Sequence, residues 1–211
     1  QSDREAAVEA SQARFEFMLY RMLLARRWLD YKQFQTLTST TPLPGPRLAL
    51  SLPETTARRA MFVSHQMPGV QVFDGVRYSP GWIGAALSYK YLAQQALAAQ
   101  WPQLEVMEDD VLFLPDYVEH KAVVDAYLAQ RSGQWDVFVG LIAIMHPDTR
   151  VLGVERQGGL VFITIDRMIS MVHNIYALTV LRLLAFFYND PATPEIYTID
   201  RYLQTQSQLR V

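Results

Sequence analysis

Three carboxylates in a row, Glu108-Asp109-Asp110, lie between Val106-Met107 and Val111-Leu112-Phe113 in a chain of which only 19% is charged. Hard divalent cations such as Mg and Mn prefer carboxylate oxygens and keep positions open for phosphate oxygens. An acidic turn at a strand end could therefore hold a metal against a diphosphate. Such an ion acts as a Lewis acid where negative charge grows on a leaving group. A lone acidic triplet is also common in solvated turns and helix entrances, so its surroundings must decide. Asp200, after apolar Ile199, could serve as a general base on a hydroxyl or as the N-cap of a final helix over residues 201–209. Arg58 and Arg59 could reach a diphosphate through charge-assisted bonds, or could lie on the solvated face of an early helix. His146 and His173 offer imidazole nitrogens to a metal or a proton, although a turn histidine or a satisfied buried one is commoner. His65 and His120 fall in helical patterns as ordinary surface residues. Tyr78, Trp82, Tyr89 and Tyr91 gather around a glycine segment, where they could stack on a base or sugar or simply fill the core.

These side chains need a scaffold, and the 211-residue chain, 50% hydrophobic and 12% aromatic, suffices for one domain with a substantial core. A net charge of -2 gives no reason to expect binding to a nucleic-acid backbone, which demands many Lys and Arg against phosphates. Zero cysteines exclude disulfides and thiolate metal sites and suit a reducing cytoplasm, the expected location. The longest apolar run, Tyr176 to Tyr188, is broken by Arg182 and is shorter than the roughly 20 residues of a spanning helix. It reads as a buried helix. The chain opens on Gln1 instead of Met, as a piece of a longer protein would.

The expected organisation is an N-terminal helical extension and linker over residues 1–41 and an α/β domain over 42–211. Asp3 to about Gln35 contains neither Gly nor Pro and reads as one helix or two. Its Phe15, Met18, Tyr20, Met22, Leu23, Trp28 and Leu29 interleave with Arg14, Arg21, Arg26, Arg27 and Lys32, a mixture that could lie on an anionic membrane surface or pack on the domain. The run from Thr36 to Pro46 carries three prolines and reads as a linker. Beyond it, apolar runs alternate with helical patterns, as in a sheet joined by helical crossovers. The pattern predicts strands at Arg47–Leu52, Val70–Phe73, Gln103–Met107, Trp135–Gly140 and Met171–Leu178. Helices are predicted from Pro53, from the Gly81-Trp82-Ile83-Gly84 segment to about Gln100, from Pro115-Asp116 to Arg131, and from a Thr179 cap onward. Val151–Val154 and Leu160–Ile165 could form a hairpin.

Several motifs in order resemble glycosyltransferase family 25, which includes bacterial lipopolysaccharide glycosyltransferases and collagen galactosyltransferases. Leu48-Ala49-Leu50-Ser51-Leu52-Pro53 with Arg58-Arg59 is similar to the family's opening strand and Arg-bearing helix. Val72-Phe73-Asp74-Gly75-Val76 before Gly81-Trp82-Ile83-Gly84-Ala85-Ala86-Leu87-Ser88 is similar to its glycine-containing segment ending in Leu-Ser-His. Val106 to Val111 matches its Glu-Asp-Asp signature, with Trp135 to Gly140 behind it, and Tyr176 to Thr179 with Ile199-Asp200 is similar to its close. Tyr89 stands where the family has His, Ala85 where Cys is common, and Trp82 where an acid is frequent.

The resemblance implies a GT-A fold with a mixed, mostly parallel sheet, and a metal-dependent, inverting transfer of galactose or glucose from a UDP-sugar to a saccharide or hydroxylated acceptor. Carried onto this chain, it implies Glu108, Asp109 and Asp110 at an Mn or Mg ion, Asp200 as the base, and Arg58, Arg59, Gly81, Gly84 and Ser88 around the donor. A relative that binds nucleotide sugar without turnover, as an assembly module, is the alternative.

Overall fold

The computed structural model describes residues 2–65, 67–168, 170–188, 198–206 and 208–211. Its centre is a five-stranded mixed sheet in the order β2-β1-β3-β7-β4. The strands are β1 (Arg47–Ser51), β2 (Gln71–Asp74), β3 (Gln103–Glu108), β4 (Val137–Val139) and β7 (His173–Ala177); β5 (Val151–Gln157) and β6 (Leu160–Ile165) form a separate hairpin. β1 pairs in parallel with both β2 and β3, while β7 runs antiparallel between β3 and β4. The α/β class and mixed sheet expected from alternating patterns are therefore present.

Period-two alternation divides β3 between the two faces of the sheet. Leu104 and Val106 join the main core with α4 (Gly81–Ala98) and α6 (Leu178–Phe186), whereas Met107 packs with Ala49 of β1 and Phe62 of α3 (Thr56–Ser64). Farther along that second face, α5 (Tyr117–Gln130) covers β7 and the hairpin through Val124, Tyr127, Leu128, Phe162 and Ile175. The chain goes from β1 to β2 on one side and then crosses to β3 on the other. The carboxyl ends of β1 and β3 thus flank a topological switch point, where connecting loops diverge and leave a crevice.

The N-terminal segment forms two helices, α1 (Ser2–Ala25) and α2 (Tyr31–Leu37). Asp30 opens α2 with a capping box, its carboxylate accepting from the Gln33 amide at 2.8 Å while the Gln33 side chain accepts from the Asp30 amide. Phe17, Leu24 and Phe34 enter the main core beside Phe73 and Tyr91, so this segment packs on the domain. Arg21, one of the cations open to either a lipid-facing or a packed reading, is buried and paired with Glu54; Phe15, Met22 and Trp28 stay exposed. In the Pro-rich stretch Thr38 is buried and its carbonyl accepts from the Tyr91 hydroxyl, which ties the stretch to α4. Among the described residues, no helix is long and apolar enough to cross a membrane.

Three local expectations need correction. α3 begins at Thr56 instead of Pro53, because Thr55 first turns back to the Leu52 carbonyl through both its amide and its hydroxyl. Thr179 does not cap α6. The strand runs straight into that helix at Ala177, and the Thr179 hydroxyl bonds Asp136. The last helix, α7 (Ile199–Gln204), is shorter than expected, and its N-cap is Thr198 instead of Asp200.

Candidate functional site

Two cavities open over the carboxyl ends of the parallel strands, and they share Glu108 and Ala85. The smaller, about 200 Å3, is walled by Leu50 of β1 and Leu52 just after it, by Gly75 to Tyr78 after β2, and by Arg58, Gly81 and Ser88. This is the switch-point crevice itself. The larger, about 810 Å3, lies on the α4 side among Trp82, Tyr89, Ile144, Met171 and Asp200. Another apolar cavity of about 390 Å3 sits between α5, β4 and β6. Its cations Arg131 and Arg210 are already paired with Glu155 and Asp136, so it offers less chemistry than the strand-end cleft.

The tertiary fold brings Asp200 to Glu108 from the far end of the chain. Burial pushes the Glu108 carboxyl above the ordinary range, Asp110 adds to that push, Arg58 pulls against it, and Asp109 and Asp200 raise it further. Asp200 projects from the first turn of α7, its carboxylate accepting from the Thr198 hydroxyl at 2.5 Å and from the Arg201 amide at 2.9 Å.

Adjacent residues at a strand end point to opposite faces, and the acidic triplet is split accordingly. Glu108 faces the cleft and α4. Asp109 turns toward α3, fully buried, and accepts from the Ser51 hydroxyl at 2.6 Å while Arg58 Nε lies 2.5 Å from its Oδ1. Asp110 is 48% exposed, with Arg58 Nη1 at 3.5 Å. Among the described residues no three Asp, Glu or His side chains converge on one point. As arranged, the triplet does not make a cation cage. Arg58 stands among its carboxylates instead.

The other expected site residues divide into those that wall the cleft and those that hold it in shape. Arg58 and Gly81 line the smaller cavity. Arg59 does not; it reaches Asp74 at 2.5 Å, behind the crevice. Gly84 is required by packing, since a Cβ there would lie 2.7 Å from the Val76 carbonyl oxygen and 2.9 Å from the Tyr78 nitrogen. Ser88 borders the cavity and clasps the same loop, accepting from the Val76 amide at 2.7 Å and donating to the Gly84 carbonyl at 2.8 Å. His146 lies near Asp148 on the surface. His173 is buried against Glu105, on the α5 side of the sheet and away from the cleft. Tyr91 is a core residue.

Sequence reasoning missed three contributors. Arg77 lines the smaller cavity, and only its place just after Asp74-Gly75-Val76 hinted at this. Arg21 reaches from α1 to donate to the Gly75 carbonyl and to bind Glu54 in a two-bond fork at 2.7 and 2.6 Å. Arg27 adds a cation over the Tyr78 ring, 5.4 Å from its centroid. The N-terminal helices thus grip the loop that walls the crevice. A buried Arg on a mixed helix carries no sequence signal separating it from its exposed neighbours.

Fold and cleft together define an α/β protein with paired cavities at a parallel-strand switch point. No protein-family profile matches the chain, and no curated protein is significantly similar to it.

Proposed function

We propose that the chain is a GT-A-type glycosyltransferase. It takes a nucleotide sugar, a UDP-hexose such as UDP-galactose or UDP-glucose, and transfers the sugar with inversion to a saccharide or hydroxylated acceptor. The observation that carries this reading is the meeting of the two cavities at Glu108, with Asp200 in the larger one. A narrow crevice with Leu50, Leu52 and Tyr78 walls and with Arg58 and Arg77 suits a nucleoside diphosphate, apolar for the base and cationic for the phosphates. The wider cavity, with Trp82 on its wall, suits a sugar face.

Chemistry at the junction follows from this placement. Asp200 takes the proton of the acceptor hydroxyl as its oxygen attacks the anomeric carbon, and the bond to the diphosphate breaks on the opposite side. Guanidinium charge from Arg58 and Arg77 lies where the leaving group gains negative charge. The acidic turn is not arranged as a cation cage, and Arg58 and Arg77 supply the positive charge beside the diphosphate. The test is UDP release from UDP-galactose and UDP-glucose with a panel of saccharide acceptors, before and after Asp200→Asn. Turnover that survives the substitution unchanged overturns the assignment of the base.

One observation favours a second reading, a nucleotide-sugar-binding module without turnover. The position where the resembled family has His is Tyr89, which is 1% exposed and whose hydroxyl donates to the Met171 carbonyl at 2.8 Å. That side chain offers the cleft its ring and no free proton-transfer group. UDP binding by calorimetry with no turnover across donors and acceptors would select the module.

A further inference from the structure

Two sheet edges face each other across the cavity between β4, β6 and α5, and the chain itself shows what fits between them. β4 is the outer strand of the central sheet and pairs with β7 on one side only. The Val137 amide turns away from β7 and donates to the Arg210 carbonyl at 3.2 Å. On the other wall Ile165 of β6 exchanges both backbone bonds with Val211, at 2.9 and 3.2 Å. Such a reciprocal pair marks an antiparallel strand contact. At this end, therefore, Arg210 and Val211 bond both edges at once, and the gap is one strand wide.

Backbone groups along a strand alternate between its two sides, so others on each edge face the same gap. In β4 this is Val139, because Asp136 and Gly140 bond to β7. In β6 they are Ile163 and Val161, in step with Ile165. Among the described residues no further backbone group bonds these three from the gap side. Both strands line the cavity of about 390 Å3, and Val124, Tyr127 and Leu128 of α5 floor it. Its Arg131 and Arg210 are already paired with Glu155 and Asp136, so the lining favours a neutral occupant.

We propose that this gap is a strand-acceptor site, which takes an extended, uncharged segment of a partner protein between β4 and β6. The segment runs antiparallel to β6, the direction that Val211 already takes. Main-chain bonds to Val139 on one edge and to Ile163 and Val161 on the other hold it, and alternate apolar side chains settle on the α5 floor. Bound in this way, it joins the central sheet to the β5–β6 hairpin and covers two edges that are otherwise open to pairing. The cavity shares no lining residue with the strand-end cleft, so strand capture is independent of what the cleft binds.

The experiment is amide hydrogen exchange by NMR on the full chain, with and without a probe peptide, acetyl-Thr-Val-Thr-Val-Thr-amide. Binding should be saturable and should slow exchange at Val139, Val161 and Ile163 by at least about tenfold. Phe138 and Phe162, which face β7 and β5, should be unchanged. A probe with every second amide N-methylated presents donors to one edge only and should bind about tenfold more weakly. Ile163→Pro removes a donor that faces the gap and should weaken the peptide to a similar extent, whereas Val154→Pro, opposite it on the outer edge of β5, should not. If Ile163→Pro does not fold, the N-methylated probe carries the test. No saturable binding, binding without protection of the three amides, or equal binding of the methylated probe overturns the proposal. Protection of the same amides in a concentration-dependent dimer without peptide gives the gap to a second copy and overturns it as well.

Discussion

Glu105 and Glu108 stand three residues apart on β3, both largely withdrawn from water, yet the fold treats them in opposite ways. Glu105 points toward α5 into a basic nest: His173 Nε2 at 2.8 Å, Arg47 Nε at 2.9 Å and Lys121 Nζ at 3.2 Å, with the Tyr117 hydroxyl at the edge. Burial alone would raise its carboxyl, but the His173 hydrogen bond and the Lys121 and Arg47 charges prevail and hold it down at about 2. Glu108 points the other way, and burial, with the charges of Asp110, Asp109 and Asp200 outweighing that of Arg58, pushes its carboxyl up. A buried charge surrounded by satisfied partners serves the fold, whereas one left among like charges in a cavity is where function is expected.

The contrast can be broken most severely at Glu105. Glu105→Leu takes the shared carboxylate from the buried His173, from Arg47 and from Lys121, which keeps only Asp125, and should cost about 3–5 kcal/mol of stability, read by urea denaturation. A cost near zero would mean that the network contributes nothing net. On the cleft side, Asp200→Asn should slow sugar transfer by about 10²–10⁴-fold, the usual share of a general base, while leaving the melting temperature almost unchanged.

Acid titration sharpens the comparison through linkage. The unfolded Glu105 carboxyl binds its proton at the ordinary 4.5 and the folded one at about 2, so between these values the unfolded state holds more protons. The stability that Glu105 contributes is fully present above about pH 4.5 and is lost as the pH falls toward about 2. Glu105→Gln should flatten that part of the curve. Glu108 has the reverse sign: its folded carboxyl holds the proton more tightly than the unfolded one, so its ionisation weakens the fold as pH rises. Glu108→Gln should therefore match or slightly exceed the parent stability at pH 7, by about 0.5 kcal/mol, in the manner of active-site residues that trade stability for function. A clear loss of stability would place Glu108 among structural residues.

Much of the scaffold was legible in the sequence because its signals are local. Short apolar runs marked β1 and β3, and the run Leu160–Ile165 marked one arm of a candidate hairpin. Gly81-Trp82-Ile83-Gly84 announced the start of α4, and the acids after Met107 marked a strand end. The starts of α3 and α7 shifted within their own segments, whereas other differences arose where a side chain found a partner outside its segment. Thr179 bonds Asp136 instead of capping α6, and Arg21, for which the sequence leaves both an outward and a packed reading open, turns inward to Gly75 and Glu54.

The sequence by itself determined that three acids would end a central strand near a glycine-bearing helix start, since periodicity and turn chemistry depend on neighbours along the chain. Only the tertiary structure decided which acid faces the cleft, that Arg58 stands between Asp109 and Asp110, that Asp200 joins Glu108, and that Glu105 is neutralised by three basic side chains. The reason is physical: the state of a buried charge is set by groups within a few ångströms, and those groups are chosen by sheet order and helix packing, which no local pattern encodes.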